Sequence, residues 1–312
     1  MKQGHGSART RIVIISGPTA VGKTSLSIRL AREFHAEIIN ADSRQIYRKL
    51  NIGTAKPTPA EQAAVPHHLI DVVNPDERFS AARFAELAQE KILQIEKKGK
   101  RVFVVGGTGL YIKALLHGLF PAPPGDEKLK EELLRQASLR GLSFLYEKLK
   151  EVDPVSAKRI HPNDKQRIVR ALEVYHLTGK PISELQRSHR FKPTRYNALK
   201  IALHLPREQL YEKIDKRVLR MVQQGLVEEV RALLDEGYSP TLNSMTSIGY
   251  QYIAEFIAGK ITLERAIELL QRDTRRYAKR QLTWFRGDSE YRWFTPYKYE
   301  EISSLIREFY ET

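Results

Sequence analysis

The chain has 312 residues, 41% of them hydrophobic and 29% charged, enough for a substantial core and, at ~150 residues per domain, for about two domains. It has no cysteine, which excludes disulfides and any cysteine-ligated zinc site. Lys and Arg total 52 against 37 Asp and Glu, a net charge of +15 that favours a polyanionic partner such as nucleic acid without requiring one.

The N-terminus, MKQGHGSARTR, lacks the apolar stretch of a signal peptide, and no apolar run approaches the ~18 residues of a membrane span. A soluble, cytoplasmic protein with no membrane partner is expected, and a monomer. From Arg11 to Phe120 short apolar strands alternate with amphipathic helices. RIVIIS leads into a glycine-rich loop and the helix SLSIRLAREF. AEIINAD reads as a second strand ending on Asp42, and HHLIDVV as a third. FSAARFAELAQEKILQIEKKG has helical spacing, and RVFVVGG is a strand running into a glycine turn. Such alternation argues for an α/β core with a mostly parallel sheet flanked by helices.

At PAPPGDE, Pro121 to Glu127, three prolines and a glycine break the rhythm. Beyond it the segment up to Lys192 is helical, with EELLRQASLRGLSFLYEKLKEV and DKQRIVRALEVYHLTG the clearest helices, the second stopped by Gly179 and Pro181. The strand NALKIALHL follows, then the helices REQLYEKIDKRVLRMVQQG, VEEVRALLDEG and TLERAIELLQRDTRRYAKRQLTWFRG. The economical division is a phosphate-loop α/β core over 1–120 and 196–312, with an all-helical insertion domain over 121–195.

GPTAVGKT, Gly17 to Thr24, matches the phosphate-cradling pattern G-x-x-x-x-G-K-S/T between a strand and a helix. Its glycines turn backbone N–H groups inward, Lys23 adds a mobile positive charge, and the Thr24 hydroxyl is placed to hold Mg2+. Phosphate-loop hydrolases usually end a neighbouring strand on a Mg2+-holding Asp. Here VFVV runs into Gly106, Gly107, Thr108 and Gly109 instead, with Asp71 a substitute only inside a strand. Asp42, followed by Ser43, Arg44 and Gln45, sits at the strand edge where ligands collect, as either a general base or a cap for the next helix. Thr108 is either a cleft residue or part of a tight turn. His67 and His68 are adjacent and cannot face one metal from a strand.

Between Lys158 and Arg195 ten Lys or Arg, Arg190 and Lys192 among them, face three acids; between Arg272 and Arg286 six face Asp273 alone. In the second cluster Arg272, Arg276, Lys279 and Arg280 share a helical face near Tyr277, Trp284 and Phe285, a combination that suits RNA. Trp284 and Phe285 read equally as core residues.

Taken in order, GPTAVGKT, INADSRQIY, NIGTAKPT, HHLID, VVGGTGLY, DKQRIVRALEVY, SIGYQ and TRRYAKRQLTWFR resemble segments of the bacterial-type tRNA dimethylallyltransferases, or tRNA isopentenyltransferases, over nearly the whole chain. The resemblance implies transfer of a dimethylallyl group from dimethylallyl diphosphate to N6 of the adenosine immediately 3′ of the anticodon. It implies that Gly17, Pro18, Thr19, Ala20, Val21, Gly22, Lys23 and Thr24 hold the diphosphate, with Mg2+ as cofactor on Thr24. Asp42 would be the general base, with Thr108 and Arg217 completing the catalytic group. Ser43, Arg44, Gln45 and Thr108 would line the channel for a flipped adenosine, and Gln166, Arg167, Ile168, Val169 and Arg170 would contact tRNA. The cysteine–histidine zinc finger of eukaryotic relatives is absent from this sequence. A phosphate-loop kinase acting on a small molecule or nucleotide is the alternative, and a non-catalytic RNA-binding protein with a relic loop a third.

Overall fold

The computed structural model of the chain describes residues 9–120, 123, 125–189 and 194–312. Most of the N-terminal arm, Pro121 and its neighbours Ala122 and Pro124 in the proline boundary, and Arg190 and Lys192 of the first basic cluster lie outside the described residues. The chain divides into two compact units, Met1–Leu116 with Thr194–Thr312, and His117–Pro193.

The first unit begins with β1 (Arg11–Ser16), α1 (Lys23–Glu33), β2 (Ala36–Asn40), α2 (Pro59–Ala64), β3 (His67–His68), α3 (Ala81–Lys97), β4 (Arg101–Gly106) and α4 (Gly109–His117). Six strands pair in parallel in the order β3-β2-β4-β1-β5-β6, with β5 (Asn197–Leu203) and β6 (Arg292–Phe294) contributed by the later part of the unit. β1 is central, Ile12 pairing with Val102 of β4 on one side and Ala198 on the other. Covered on both faces, it needs a continuous apolar run rather than an alternating one, and Ile12 to Ile15 are fully buried. Each such side chain contributes about 1.5–3 kcal/mol of burial.

Two strands are shorter than their sequences suggest. AEIINAD pairs only to Asn40, after which Ala41 N donates to Val105 O (2.7 Å) and Asp42 opens a turn. In HHLIDVV only His67 and His68 form a strand, and Val73 makes just an isolated bridge to Tyr47, because Leu69 (φ 62) and Asp71 (φ 56) adopt left-handed backbone and break the ladder. The glycine after VFVV answers a close approach: a Cβ on Gly106 would lie 2.2 Å from Ala41 O.

The second unit packs α5 (Glu127–Arg140), α6 (Leu142–Val152), α7 (Pro154–Arg159), α8 (Lys165–Thr178) and α9 (Ile182–His189) around Leu133, Leu145, Leu149, Ile168 and Leu172. The stretch expected as one helix is two, because Gly141 at φ +83 cannot continue the first. Asp164 caps α8 by accepting from Arg167 N (3.1 Å), and Gly179 ends it in left-handed geometry.

The first unit resumes with β5 (Asn197–Leu203), α10 (Arg207–Gln223), α11 (Leu226–Asp235), α12 (Ile248–Ile257), α13 (Leu263–Arg286), β6 (Arg292–Phe294) and α14 (Tyr299–Glu311). α12, β6 and α14 are not foreseen by the sequence reading. β6 is a three-residue edge strand, and α12 is so apolar that little helical period shows. Among the described residues no helix is long and apolar enough to cross a membrane.

Candidate active site

The phosphate loop leaves the central strand through Gly17, whose φ of +140° and position 2.6 Å (as a built Cβ) from Leu203 O admit no side chain. Ala20 (φ 64) and Gly22 (φ 105) complete the reversal, and α1 starts at Lys23 with its N-terminal end toward the cradle. Lys23 Nζ donates to Gly17 O (2.9 Å) and Pro18 O (2.8 Å), folding the side chain back over the loop. Desolvation pulls the Lys23 ammonium down to about 8; Asp42 opposes this and Arg217 adds to it.

A cleft of about 640 Å³ opens from this loop. Thr19, Ala20, Gly22, Lys23 and Thr24 form one wall, and Asp42, Ser43, Arg44 and Gln45 another. Lys213, Arg217 and Arg220 come from α10, Tyr277, Arg280 and Gln281 from α13, and Gly53, Thr54 and Ala55 from a loop. Ser247, Ile248 and Gly249 at the start of α12 close the lining, with Ile214, Val218, Met221 and Leu270 as apolar surface. Cations outnumber the acids Asp42 and Glu61, so the cleft attracts an anion while offering apolar surface beside it. Burial lowers the Arg217 guanidinium from its usual value, against the pull of Asp42.

Asp42 stands in an Asx-type turn rather than as a cap for a helix: its Oδ1 accepts from Arg44 N at 2.8 Å, and residues 43 and 44 are turn. Thr108 is not among the cleft-lining residues. Its Oγ1 accepts from Ser43 N (3.0 Å) and its N–H donates to Ala41 O (3.1 Å), which ties the strand-end glycine turn to the segment carrying Asp42. Gln45 Nε2 donates to Thr54 O (3.1 Å) and Ala55 O (3.0 Å).

Gln281 is a buried residue that sequence reasoning did not single out. Thr19 N donates to its Oε1 (2.8 Å) and its Nε2 donates to Gly107 O (3.0 Å), so one amide links the phosphate loop to the glycine turn. Tyr277, four residues earlier on the same helix face, has its phenol raised to about 12 by burial and then by Asp42, so it is neutral at physiological pH. The sequence signal for both is the segment TRRYAKRQLTWFR.

Several expected residues stand elsewhere. Val21 is fully buried, so only its backbone belongs to the cradle. Asp71 binds Lys56 (2.6 Å) and is not in the cleft lining, so it is no substitute metal ligand. Gln166 and Arg167 are exposed on α8. Ile168 and Val169 of the same segment, at 0% and 4% exposure, pack their side chains in the helical unit's own core. Arg170 is engaged by Glu173 (2.5 Å) and Pro123 O (2.9 Å). Phe285 is core, packed edge-on against Tyr291 at 5.2 Å, whereas Trp284 is 43% exposed. Arg272 and Arg276 both pair with Asp273; Arg276, Lys279 and Arg280 are exposed, and Arg280 also lines the cleft.

Among the described residues no cluster of three His, Cys, Asp or Glu could hold a metal by itself. Thr24 lines the cleft and could offer one hydroxyl oxygen to a hard divalent ion, which keeps several waters and needs few protein ligands.

Comparison with known proteins points to one family. A family model described as IPP transferase matches residues 45–288. The chain is 51% identical over 306 residues to a tRNA dimethylallyltransferase of Geotalea uraniireducens, covering 98% of this chain and 99% of that one. It is likewise 51% identical to one of Geobacter metallireducens, over 97% and 98% of the two chains. It is similar to the crystal structure of the full-length tRNA isopentenylpyrophosphate transferase of Bacillus halodurans, with TM-score 0.72, 41% identity and 97% of both chains covered. It also resembles a eukaryotic dimethylallyltransferase acting on tRNA, with TM-score 0.74, 32% identity and 88% and 70% coverage.

Proposed function

This chain belongs to the tRNA dimethylallyltransferase (IPP transferase) family, and from that premise we propose how its cleft carries out the transfer. The reaction moves the dimethylallyl group of dimethylallyl diphosphate to N6 of the adenosine immediately 3′ of the anticodon and releases diphosphate. The observation that carries the assignment of roles is the meeting, in one cleft, of a phosphate cradle, a set of cations and a single strand-end carboxylate.

The donor's diphosphate lies in the cradle of Gly17 to Thr24, received by inward N–H groups, the start of α1 and Lys23. For this Lys23 must exchange the carbonyls of Gly17 and Pro18 for phosphate oxygens. Arg217 supports the leaving group from the opposite wall. As the C–O bond lengthens, negative charge gathers on the diphosphate, and each preorganised charged contact contributes about 2–4 kcal/mol in the transition state. The prenyl group lies along the apolar surface of Ile214, Val218, Met221 and Leu270, which excludes water from the developing allylic cation. When bound through Thr24, Mg2+ supplies further charge neutralisation for the diphosphate.

The acceptor adenine leaves its stack, which costs a few kcal/mol, and enters past Ser43, Arg44 and Gln45. Its exocyclic amine is a weak nucleophile because its lone pair is delocalised into the ring. Asp42 takes the N6 proton as the C–N bond forms. Thr108 acts through Ser43 by holding the turn that aims Asp42. Exposed Arg167 and Gln166 of the helical unit, with Lys279 and Arg280 of α13, contact the RNA backbone. The protein acts as a cytoplasmic monomer. Nucleoside mass spectrometry of tRNA from cells lacking the protein tests the reading: loss of the dimethylallylated adenosine, restored by the wild-type gene and not by Asp42→Asn, is expected. Persistence of the modification overturns it.

A further inference from the structure

The loop Asn51–Ala55 that walls the cleft is held from behind by one carboxylate. Glu229, on α11, accepts from Asn51 N (3.1 Å) and Ile52 N (2.9 Å) on Oε2, and from Ile52 N (3.1 Å) and Gly53 N (3.2 Å) on Oε1. Tyr250 of α12 donates its hydroxyl to the same Oε1 at 2.6 Å. Three consecutive backbone N–H groups and a phenol thus converge on a single side chain, an arrangement suited to an ionised acceptor. The seat is close-fitting as well: a Cβ on Gly53 would lie 2.6 Å from the Tyr250 ring, and one on Gly249 only 2.8 Å from Gly53 O.

The loop's N–H groups face Glu229, while the carbonyls of its last two residues, Thr54 and Ala55, both accept from the Gln45 amide nitrogen. Two carbonyl partners leave that amide one orientation, because a flipped amide would set oxygen against oxygen. Gln45 lines the cleft next to Asp42, and with its amine spent it can offer the cleft only an acceptor oxygen. An acceptor oxygen complements an exocyclic amine and repels a ring carbonyl.

We propose that Glu229, supported by Tyr250, is a positioning residue that fixes the loop Asn51–Ala55 and, through it, the orientation of the Gln45 amide, so that the acceptor pocket selects a base with an exocyclic amine over one with a carbonyl. The inference rests on the proposed entry of adenine past Gln45. Neither Glu229 nor Tyr250 touches the reacting atoms; their effect passes through backbone.

The test is Glu229→Gln. It is isosteric, but its NH2 must face N–H or O–H donors whichever way it turns. Two anticodon stem-loops are compared, with adenosine or inosine at the acceptor position, measuring binding of both and transfer to the first. For the wild type, tighter binding of the adenosine stem-loop is expected. In Glu229→Gln that preference should shrink about 10-fold and KM for the RNA rise, with KM for dimethylallyl diphosphate unchanged. Tyr250→Phe, which keeps the backbone contacts and loses one donor, should move the ratio the same way by less. An unchanged ratio in Glu229→Gln, or in Tyr250→Phe should the first variant not fold, overturns the proposal. So does an equal rise in both KM values, which is what a general loosening of the fold would give. Failure of the wild type to transfer to RNA would instead sink the functional reading itself.

Discussion

Asp42→Asn separates chemistry from architecture at this site. Oδ1 of Asp42 is occupied by Arg44 N–H at 2.8 Å, and an asparagine retains that oxygen, so the turn survives while the base is removed. Loss of a positioned general base costs about 10²–10⁴ in rate, or roughly 3–5 kcal/mol of transition-state stabilisation. The charge change has a second consequence. Asp42 raises the proton affinities of Lys23 and Arg217, so it also opposes an incoming diphosphate. Neutralising it should leave donor affinity equal or tighter while the chemical step collapses. The assay is single-turnover transfer from a preformed complex with RNA, alongside calorimetric titration of dimethylallyl diphosphate. RNA affinity should stay within about 3-fold, because no phosphate contact is lost. A normal single-turnover rate, or a loss confined to RNA binding, would refute the role given to Asp42.

Lys23 gives a pH signature: with its ligand-free value near 8, below the usual 10.5, the folded protein sheds a proton that the unfolded chain keeps between those values. Stability of the ligand-free protein from this group therefore rises over that window, whereas donor affinity, which needs the ammonium, falls above pH 8. Titrating donor binding from pH 6.5 to 10 should show this limb, and Lys23→Arg should remove it. Gln281→Leu strands Thr19 N–H and Gly107 C=O together, costing about 2–3 kcal/mol, or roughly 5–10 °C in melting temperature, and weakening donor binding; an unchanged melting curve would deny the bridge. Arg167→Ala should weaken tRNA binding and reduce its salt slope by about 1, while Arg170→Ala, which leaves Glu173 only the bond from Asp126 N, should cost about 1–3 kcal/mol in the helical unit. Filter binding against salt, with circular dichroism melts, distinguishes the two.

The phosphate loop was legible because its chemistry is local: strand, glycines, lysine and helix are contiguous, and β1, β4 and β5 are long buried runs. What escaped the sequence is non-local. Gln281 lies 262 residues from Thr19, and Glu229 is 176 from Gly53, so no spacing links either pair. Asp71 sits in an apolar run that reads as strand, but its left-handed backbone and its bond to Lys56 depend on packing that the run does not encode. Ile168 and Val169 share a segment with exposed Arg167, yet they face the inner side of α8. Segment likeness identifies a region; only packing says which of its side chains face a ligand.

The central claim, that the cradle anchors a departing diphosphate rather than a phosphoryl donor, is tested most directly with labelled dimethylallyl diphosphate, Mg2+ and an unmodified anticodon stem-loop. Label should appear on the adenosine 3′ of the anticodon, one diphosphate should be released per transfer, and ATP should be left intact. Unlabelled RNA with ATP consumed on a small acceptor would contradict it.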